Sequence, residues 1–334
     1  DALHLLCNVS GKPGLLARAA WPKDRPMEDD GIWRDSPDGK HKWRGDVSTD
    51  QMDGVLYGFS VAYALLANEA QKQRIAKDVA ALVDHVLEND LRIVGYDGET
   101  TQWGRYYPKY VKRIEPMNAL LWLQALKVAH QVTNATRYAA AYRRYAIAEG
   151  YGEIAIEARR VRSPLLPGLV NHSDDVLLWL AYEPLLRLEQ ADELRGLWLR
   201  SFERSWDGVD KWPGMKPEAN PLYSFLAAKY LDDASQVEAA IDMLRWFPLD
   251  IKWGPETIAR YEREFGFEFD PAVRSPEPKP KEPVPIDRRE KTWSAWVQDP
   301  YHSAGSRDEP HPMEYNGHDY LFGYWLGRYY GYIE

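Results

Sequence analysis

The sequence lacks the features that mark several classes of protein. Its 334 residues include a single cysteine, Cys7, which excludes an internal disulfide framework and a cysteine-based zinc site. The formal net charge is −9 and the basic residues form no cluster, so nucleic acid is not an expected partner. The longest apolar runs are shorter than a membrane span, which predicts a soluble protein with no membrane partner.

The first residues carry no recognisable signal peptide. The chain begins at Asp1, which we interpret as a processed or trimmed start, so its compartment is not fixed; a secreted or periplasmic location is favoured over the cytoplasm. Leu6 precedes Cys7, whereas a lipoprotein cysteine follows a small residue, so we expect Cys7 to be a buried small hydrophobe. The oligomeric state is not predicted.

Phenylalanine is scarce beside the other aromatic residues. The chain has 8 Phe but 14 Trp and 21 Tyr. Trp and Tyr present an apolar face together with a polar edge, whereas a core can use Phe instead. The bias therefore predicts wet surfaces lined by aromatic rings, as in carbohydrate sites.

Helical patterns of two kinds alternate along the chain. The first kind is apolar nearly all round and must be buried on every face. It covers 55–67, 117–129, 175–188, 221–231 and 319–333. The second kind has one apolar face and one wet face. It covers 71–90, 135–161, 192–204 and 233–246.

This alternation predicts an all-α fold of five or six helical hairpins in two concentric rings, an (α/α) toroid. We expect one domain over 1–334, with the Pro-rich stretch 270–290 as a surface loop. A small hairpin is predicted over 91–104, and no other strand pattern competes. A helix within 1–20 could help to close the ring.

Polar motifs precede the predicted inner helices. They lie at 45–51, 112–118, 171–175, 218–223 and 314–320. The inner helices of a toroid run parallel, so these motifs should meet at one end, where the long loops also lie. Helix capping explains part of the pattern. It does not explain Asp53, which lies inside a helix, or the need for both Asp174 and Asp175.

These motifs supply the candidate site residues. The predicted catalytic groups are Asp46, Asp50, His172, Asp175 and Glu314. The predicted substrate-binding groups are Trp43, Arg44, Asp53, Trp103, Arg105, Tyr107, Asn118, Asp174, Tyr223, His318, Asp319 and Tyr320. Glycoside hydrolysis needs one protonated and one ionised carboxyl group, and Asp50 with Asp175 is the preferred pair.

Three stretches resemble the six-hairpin-glycosidase-like (α/α) toroid proteins of bacteria. They are GDVSTDQMDGVLYGFSVAYALL (45–66), NHSDDVLLWLAYEPLLRL (171–188) and HDYLFGYWLGRYYG (318–331). The resemblance implies a carbohydrate ligand in the mouth of the ring. It does not fix the reaction, because the wider group includes hydrolases, lyases and epimerases. About five inner helices are visible here, where that group usually has six.

Three functions follow in order of preference. The first is a glycoside hydrolase acting on an oligosaccharide or a uronic-acid-containing glycan. The second is a polysaccharide lyase or sugar epimerase with a His or Tyr base. The third is a non-catalytic glycan-binding module. No cofactor is predicted; a divalent cation is a less favoured alternative. Its ligands would be His172, Asp175, His318 and Asp319.

Overall fold

The computed structural model describes residues 1–27, 30–159, 171–209, 212–247, 282–284, 286, 295–297, 299–301 and 317–334. These residues are mostly helical, as predicted. The chain divides into two compact units: unit 1 is Asp1–Ala158 with Leu180–Trp198, and unit 2 is Arg159–Trp179 with Leu199–Glu334. The single domain and the closed ring of hairpins stay predictions. None of the described helices has the length and hydropathy needed to cross a membrane.

The helices and strands follow the chain in this order. Unit 1 contains α1 (Ala2–Asn8), β1 (Ala19–Pro22), β2 (Trp33–Asp35), β3 (His41–Arg44), α2 (Thr49–Leu65), α3 (Glu69–Glu88), β4 (Arg92–Val94), β5 (Thr100–Arg105), α4 (Pro108–Arg113), α5 (Met117–Thr133), α6 (Thr136–Arg143) and α7 (Tyr151–Ile156). Helices α8 (His172–Leu188) and α9 (Asp192–Asp207) supply residues to both units. Unit 2 adds β6 (Gly208–Val209), β7 (Trp212–Pro213), α10 (Pro221–Tyr230), α11 (Val237–Arg245) and α12 (His318–Tyr330).

Helix α5 forms the core of unit 1. It packs against α2, α3, α6 and α7, and its side chains are buried on every face, including Trp122 and Leu126. The uninterrupted apolar pattern over 117–129 requires this burial, because a helix without a polar face must be enclosed by its neighbours. The prediction of a buried helix here is confirmed.

Helices α2 and α3 differ in how closely they follow their patterns. Ser48 is the N-cap of α2. The backbone N–H of Ser48 donates a hydrogen bond to the Gln51 side chain at 3.0 Å. Helix α2 buries one face only, and Leu65 at its end is exposed, so burial all round was wrong for this helix. Helix α3 buries an apolar face that includes Val79 and Val83, which confirms the amphipathic prediction.

Two local features of unit 1 were not predicted. Strands β1, β3 and β2 form an antiparallel sheet in that order, but each has only three or four residues, too few for alternation to be visible. The single helix expected over 135–161 is interrupted by a π-helical turn at Arg144–Ala148 and by Gly150, whose φ of +74° is left-handed. Strands β4 and β5 confirm the hairpin predicted over 91–104.

In unit 2 the N-terminal half of α8 contacts the start of α10. Trp179 Nε1 of α8 donates to the carbonyl oxygen of Leu222 at 2.7 Å. The Asn220 side chain caps α10 by accepting from the Leu222 backbone N–H at 3.0 Å, and Pro221 occupies the first helical position. On α12, Phe322 packs edge-on against Trp179 with ring centroids 5.0 Å apart.

Two sequence expectations for unit 2 need correction. Helix α12 is not buried on every face, because Leu321, Trp325 and Tyr329 are exposed along one stripe. Val284 and Ile286 lie within the predicted surface loop 270–290 and are buried, so this stretch does not stay wholly at the surface. The rest of that stretch, apart from 282 and 283, lies outside the described residues.

Candidate functional site

The rim of unit 1 joins three predicted motifs. Asp46 Oδ1, in the loop before α2, accepts a hydrogen bond from the Gln102 backbone N–H of β5 at 3.3 Å. Asn118, at the start of α5, donates to the Arg105 carbonyl oxygen at 2.9 Å. Its amide oxygen accepts from the Thr49 hydroxyl at 3.3 Å. Side chains that precede or begin α2 and α5 therefore meet each other and the backbone of the β4–β5 hairpin, as predicted for the first two inner helices.

Asp53 is the most unusual residue of this region. It is 1% exposed, and neither carboxyl oxygen has a hydrogen-bond partner among the described residues. Burial raises the pKa of Asp53 well above its ordinary value, and the charge of nearby Asp50 raises it further. Asp50 lies about one turn earlier on α2 and is half-buried. The two carboxyls thus occupy different environments, because Asp53 is enclosed and Asp50 is partly accessible to water.

Tyr106 lies near this pair, and other buried polar groups occur on α5. Tyr106 is enclosed, and burial, followed by the charges of Asp53 and Asp50, raises the pKa of its hydroxyl. The Tyr106 and Trp122 rings lie 5.4 Å apart between centroids. Trp122 Nε1 and the Gln124 amide also lack hydrogen-bond partners within the described part of the chain. Each such group costs on the order of 1–3 kcal/mol, so α2 and α5 enclose more polarity than folding alone favours.

The predicted aromatic and basic side chains of unit 1 divide into exposed and buried sets. Trp103 is 57% exposed on β5 and offers an open ring face. Tyr107 lies under Arg92, whose guanidinium carbon is 4.5 Å from the ring centroid. Arg44 pairs with Asp30 at 2.7 Å.

Trp43 departs from the expectation for a stacking platform. It is only 1% exposed and belongs to a core cluster with Val9, Leu15 and Ala17. Strand β3 points this side chain inward because alternate residues of a strand face opposite sides. Trp43 therefore supports the small sheet from within.

Unit 2 contains a second buried cluster, centred on Asp175. Arg159 donates two hydrogen bonds to this carboxylate, from Nε to Oδ1 at 2.9 Å and from Nη2 to Oδ2 at 3.1 Å. The same guanidinium lies 3.5 Å from Glu218 Oε1. Burial disfavours the charge on Asp175, but Arg159 and His172 outweigh it and hold the pKa of this carboxyl below its ordinary value. The Tyr223 hydroxyl donates to the Asp175 carbonyl oxygen.

His172 lies among three carboxylates. Its Nδ1 is 3.4 Å from Asp175 Oδ2 and 3.7 Å from Glu218 Oε1, and its Nε2 is 3.3 Å from Asp299 Oδ1. Nδ1 is buried and has no hydrogen-bond partner among the residues that the structure describes. One ligand atom from each of His172, Asp175 and Glu218 lies within 4.8 Å of the other two, a grouping that could hold a metal ion.

Sequence reasoning singled out His172 and Asp175 but missed their partners. Glu218 is the first residue of the motif at 218–223. It could have been predicted as a site residue, because that motif was expected to meet the 171–175 motif at one end of the ring. Arg159 and Asp299 belong to no motif. Their roles depend on contacts between distant parts of the chain, from which no local signal arises.

The remaining candidates are placed as follows. His318 Nε2 lies 2.9 Å from Asp319 Oδ1, with His318 exposed and Asp319 buried. Tyr320 stacks on Tyr324 with centroids 5.9 Å apart. Asp174 is half-buried in the first turn of α8, and Glu314 lies outside the described residues.

The four cation ligands predicted from sequence are not the residues that the structure brings together. Among the described residues, Glu218 is the third ligand that accompanies His172 and Asp175, whereas His318 and Asp319 pair with each other. The preferred catalytic pair, Asp50 with Asp175, joins residues of different units and stays a prediction. Comparisons with protein-family models, with curated proteins and with solved structures found no match for this chain.

Proposed function

We propose that this chain is a carbohydrate-active enzyme of the glycoside hydrolase type, built as an (α/α) toroid and acting on an oligosaccharide or a uronic-acid-containing glycan. One observation carries this proposal: two carboxyls on one helix, Asp50 and Asp53, lie in opposite environments. Glycoside hydrolysis needs such a difference, because one carboxyl must give a proton while the other stays ionised.

The roles follow from these environments. Burial, followed by the charge of Asp50, raises the pKa of Asp53, and no described side chain gives its carboxyl a hydrogen bond, so the protonated form is favoured. Asp50 lies in the first turn of α2, where the helix dipole favours a negative charge. The acid role thus moves from the pair chosen on sequence to Asp53 and Asp50 together: Asp53 favours the protonated form one turn deeper, and Asp50, which is half-buried, is the carboxyl of the two that a substrate can reach.

The rim around this pair has groups suited to a sugar. Trp103 presents an exposed ring on which a sugar face can stack. Arg105 lies on the same strand, and an arginine there can pair with the carboxylate of a uronic acid. These two side chains and Asp46 flank the start of α2 and support a polyhydroxylated ligand at this rim.

The test is a hydrolysis screen of aryl glycosides and polysaccharides, followed by variants. Asp53→Asn and Asp50→Asn should each lower turnover by about 10²–10⁴-fold, the usual contribution of an acid–base group. Asp97→Asn is the matched control, because Asp97 is an exposed acid in the turn of the β4–β5 hairpin. Full turnover in both site variants would contradict the assignment.

A second function, a lyase or sugar epimerase, is favoured by His172. An imidazole with a carboxylate beside each ring nitrogen is suited to taking and returning a proton. Lyase activity would give an unsaturated product that absorbs in the near ultraviolet, and epimerase activity would incorporate solvent deuterium. Either activity should disappear in His172→Ala and survive in Asp53→Asn. Glycan binding without turnover would instead indicate the non-catalytic module.

A further inference from the structure

The surroundings of His172 define which ring nitrogen carries hydrogen. Asp299 lies 3.3 Å from Nε2, and a carboxylate there accepts the ring N–H. A neutral imidazole has one N–H, so Nδ1 then carries a lone pair. That lone pair faces the carboxylate oxygens of Asp175 and Glu218, at 3.4 and 3.7 Å. Arg159 compensates part of the carboxylate charge, and a divalent cation between the three electron-rich atoms would compensate the rest.

We propose that a divalent first-row transition metal, such as Zn²⁺, binds in unit 2 to Nδ1 of His172, a carboxylate oxygen of Asp175 and a carboxylate oxygen of Glu218. Zinc takes imidazole nitrogen and carboxylate oxygen at about 2.0–2.2 Å, which places tetrahedral ligands roughly 3.4 Å apart. The two separations from His172 are close to this value. All three ligand atoms fall within 4.8 Å of one another, so small side-chain adjustments complete the site.

The outer contacts of this cluster match those of known metal sites. A histidine that binds a metal commonly gives its other N–H to a carboxylate, which fixes the ring, and Asp299 is placed to do this. Arg159 fixes the Asp175 carboxylate through two hydrogen bonds. The Tyr223 hydroxyl holds the backbone of the same residue. The ligands are therefore oriented before any ion binds.

This proposal is independent of hydrolysis in unit 1 and is tested by binding. The full chain is stripped of metal and titrated with Zn²⁺ by calorimetry, and its Co²⁺ form is examined for the visible absorption of a tetrahedral ion. We expect one ion per chain in this site. His172→Ala should abolish that binding. Glu218→Gln should weaken it at least tenfold, and Asp299→Asn by about 10–100-fold.

The control variant is His41→Ala. His41 Nδ1 also lies close to a carboxylate, 2.6 Å from Asp38 Oδ2, but this pair is partly exposed in unit 1 and belongs to no three-ligand group within the described part of the chain. Its replacement should leave the stoichiometry and the affinity unchanged. Glu218→Gln and Asp299→Asn keep the shape of their side chains, so they carry the test even if His172→Ala does not fold. Absence of binding at about 1 mM Zn²⁺, or unchanged affinity in both of those variants, would overturn the proposal.

Discussion

Asp53 in unit 1 and Asp175 in unit 2 are both buried near the start of a helix, yet their pKa values shift in opposite directions. Asp53 is 1% exposed and has no hydrogen-bond partner among the described residues, and its pKa is raised. Asp175 is 3% exposed, but Arg159 binds it at two atoms and its pKa is lowered. Burial is nearly equal, so the neighbouring cation accounts for the opposite directions of the two pKa shifts.

The comparison separates two reasons for keeping a buried acid. An acid paired with arginine can be retained for structure, because removing either partner leaves a buried charge. An acid that remains neutral and unpaired contributes no such pairing, and an apolar residue of the same size would fit its site at lower cost. Asp53 is therefore the stronger indication of chemistry in unit 1. In unit 2 the corresponding indication of a functional site is His172. Its Nδ1 has no hydrogen-bond partner among the described residues, because Arg159 binds the carboxylate of Asp175 and not the imidazole.

The largest effect on stability should come from breaking the pair in unit 2. Arg159→Met leaves Asp175 charged and buried, and we expect a loss of about 3–5 kcal/mol in the free energy of unfolding. Denaturant unfolding of the variant, followed by fluorescence, measures this loss. Arg144→Met is the control, because Arg144 forms an exposed pair with Glu149 at 3.0 Å, worth about 0–1 kcal/mol.

A second variant checks the reason for that loss. Replacing both partners, as Arg159→Met with Asp175→Leu, removes the Asp175 charge together with its cation, so part of the stability should return, while Glu218 still lacks its guanidinium neighbour. If Arg159→Met costs no more than Arg144→Met, then Arg159 does not hold Asp175 ionised and the contrast with Asp53 fails.

Replacing Asp53 should have a smaller effect on the free energy of unfolding, and this effect should depend on pH. Between the unfolded pKa near 3.9 and the raised folded pKa, the folded chain keeps a proton that the unfolded chain releases. Stability is therefore highest below that range and falls by up to about 1.4 kcal/mol per pH unit as pH rises through it. Asp53→Asn should remove this slope and be more stable than the parent at neutral pH.

The measurement is the difference in unfolding free energy between parent and variant at several pH values from 4 upward. Asp97→Asn should follow the parent, because Asp97 is exposed in a turn. A difference that stays constant across pH would show that Asp53 titrates normally in the folded chain. A stabilised variant that has also lost turnover would indicate that Asp53 is kept for activity.

The sequence predicted what depends on local pattern. The long apolar run of α5, the Asn220 and Pro221 start of α10 and the hairpin turn at Asp97-Gly98 are each specified within a few residues. Asp53 was also identified, since a residue inside a helix cannot serve as its cap. The sequence could not predict that the Asp53 carboxyl lacks a hydrogen-bond partner among the described residues, because this depends on which side chains of α5 and of the β4–β5 hairpin lie next to Asp53.

The features that were missed depend on distant parts of the chain. Arg159 meets Asp175 16 residues later, and Asp299 meets His172 across 127 positions. Neither partner has a neighbour of the right type in sequence, so periodicity and capping rules give no signal. The β1–β3 sheet was missed for a different reason, because its strands are too short to show alternation.

The smallest of the three predicted effects is a change in the pKa of Asp53 when Asp50 is replaced. Its charge is the second cause of the raised pKa of Asp53, after burial. Asp50→Asn should therefore lower the pKa of Asp53 without returning it to the ordinary value, because burial remains. The carbon chemical shift of the Asp53 carboxyl, followed by NMR across pH, measures this change, with Asp97→Asn as the unshifted control. If the Asp53 titration does not move, Asp50 does not act on it, and the two carboxyls of α2 cannot be the coupled pair that hydrolysis needs.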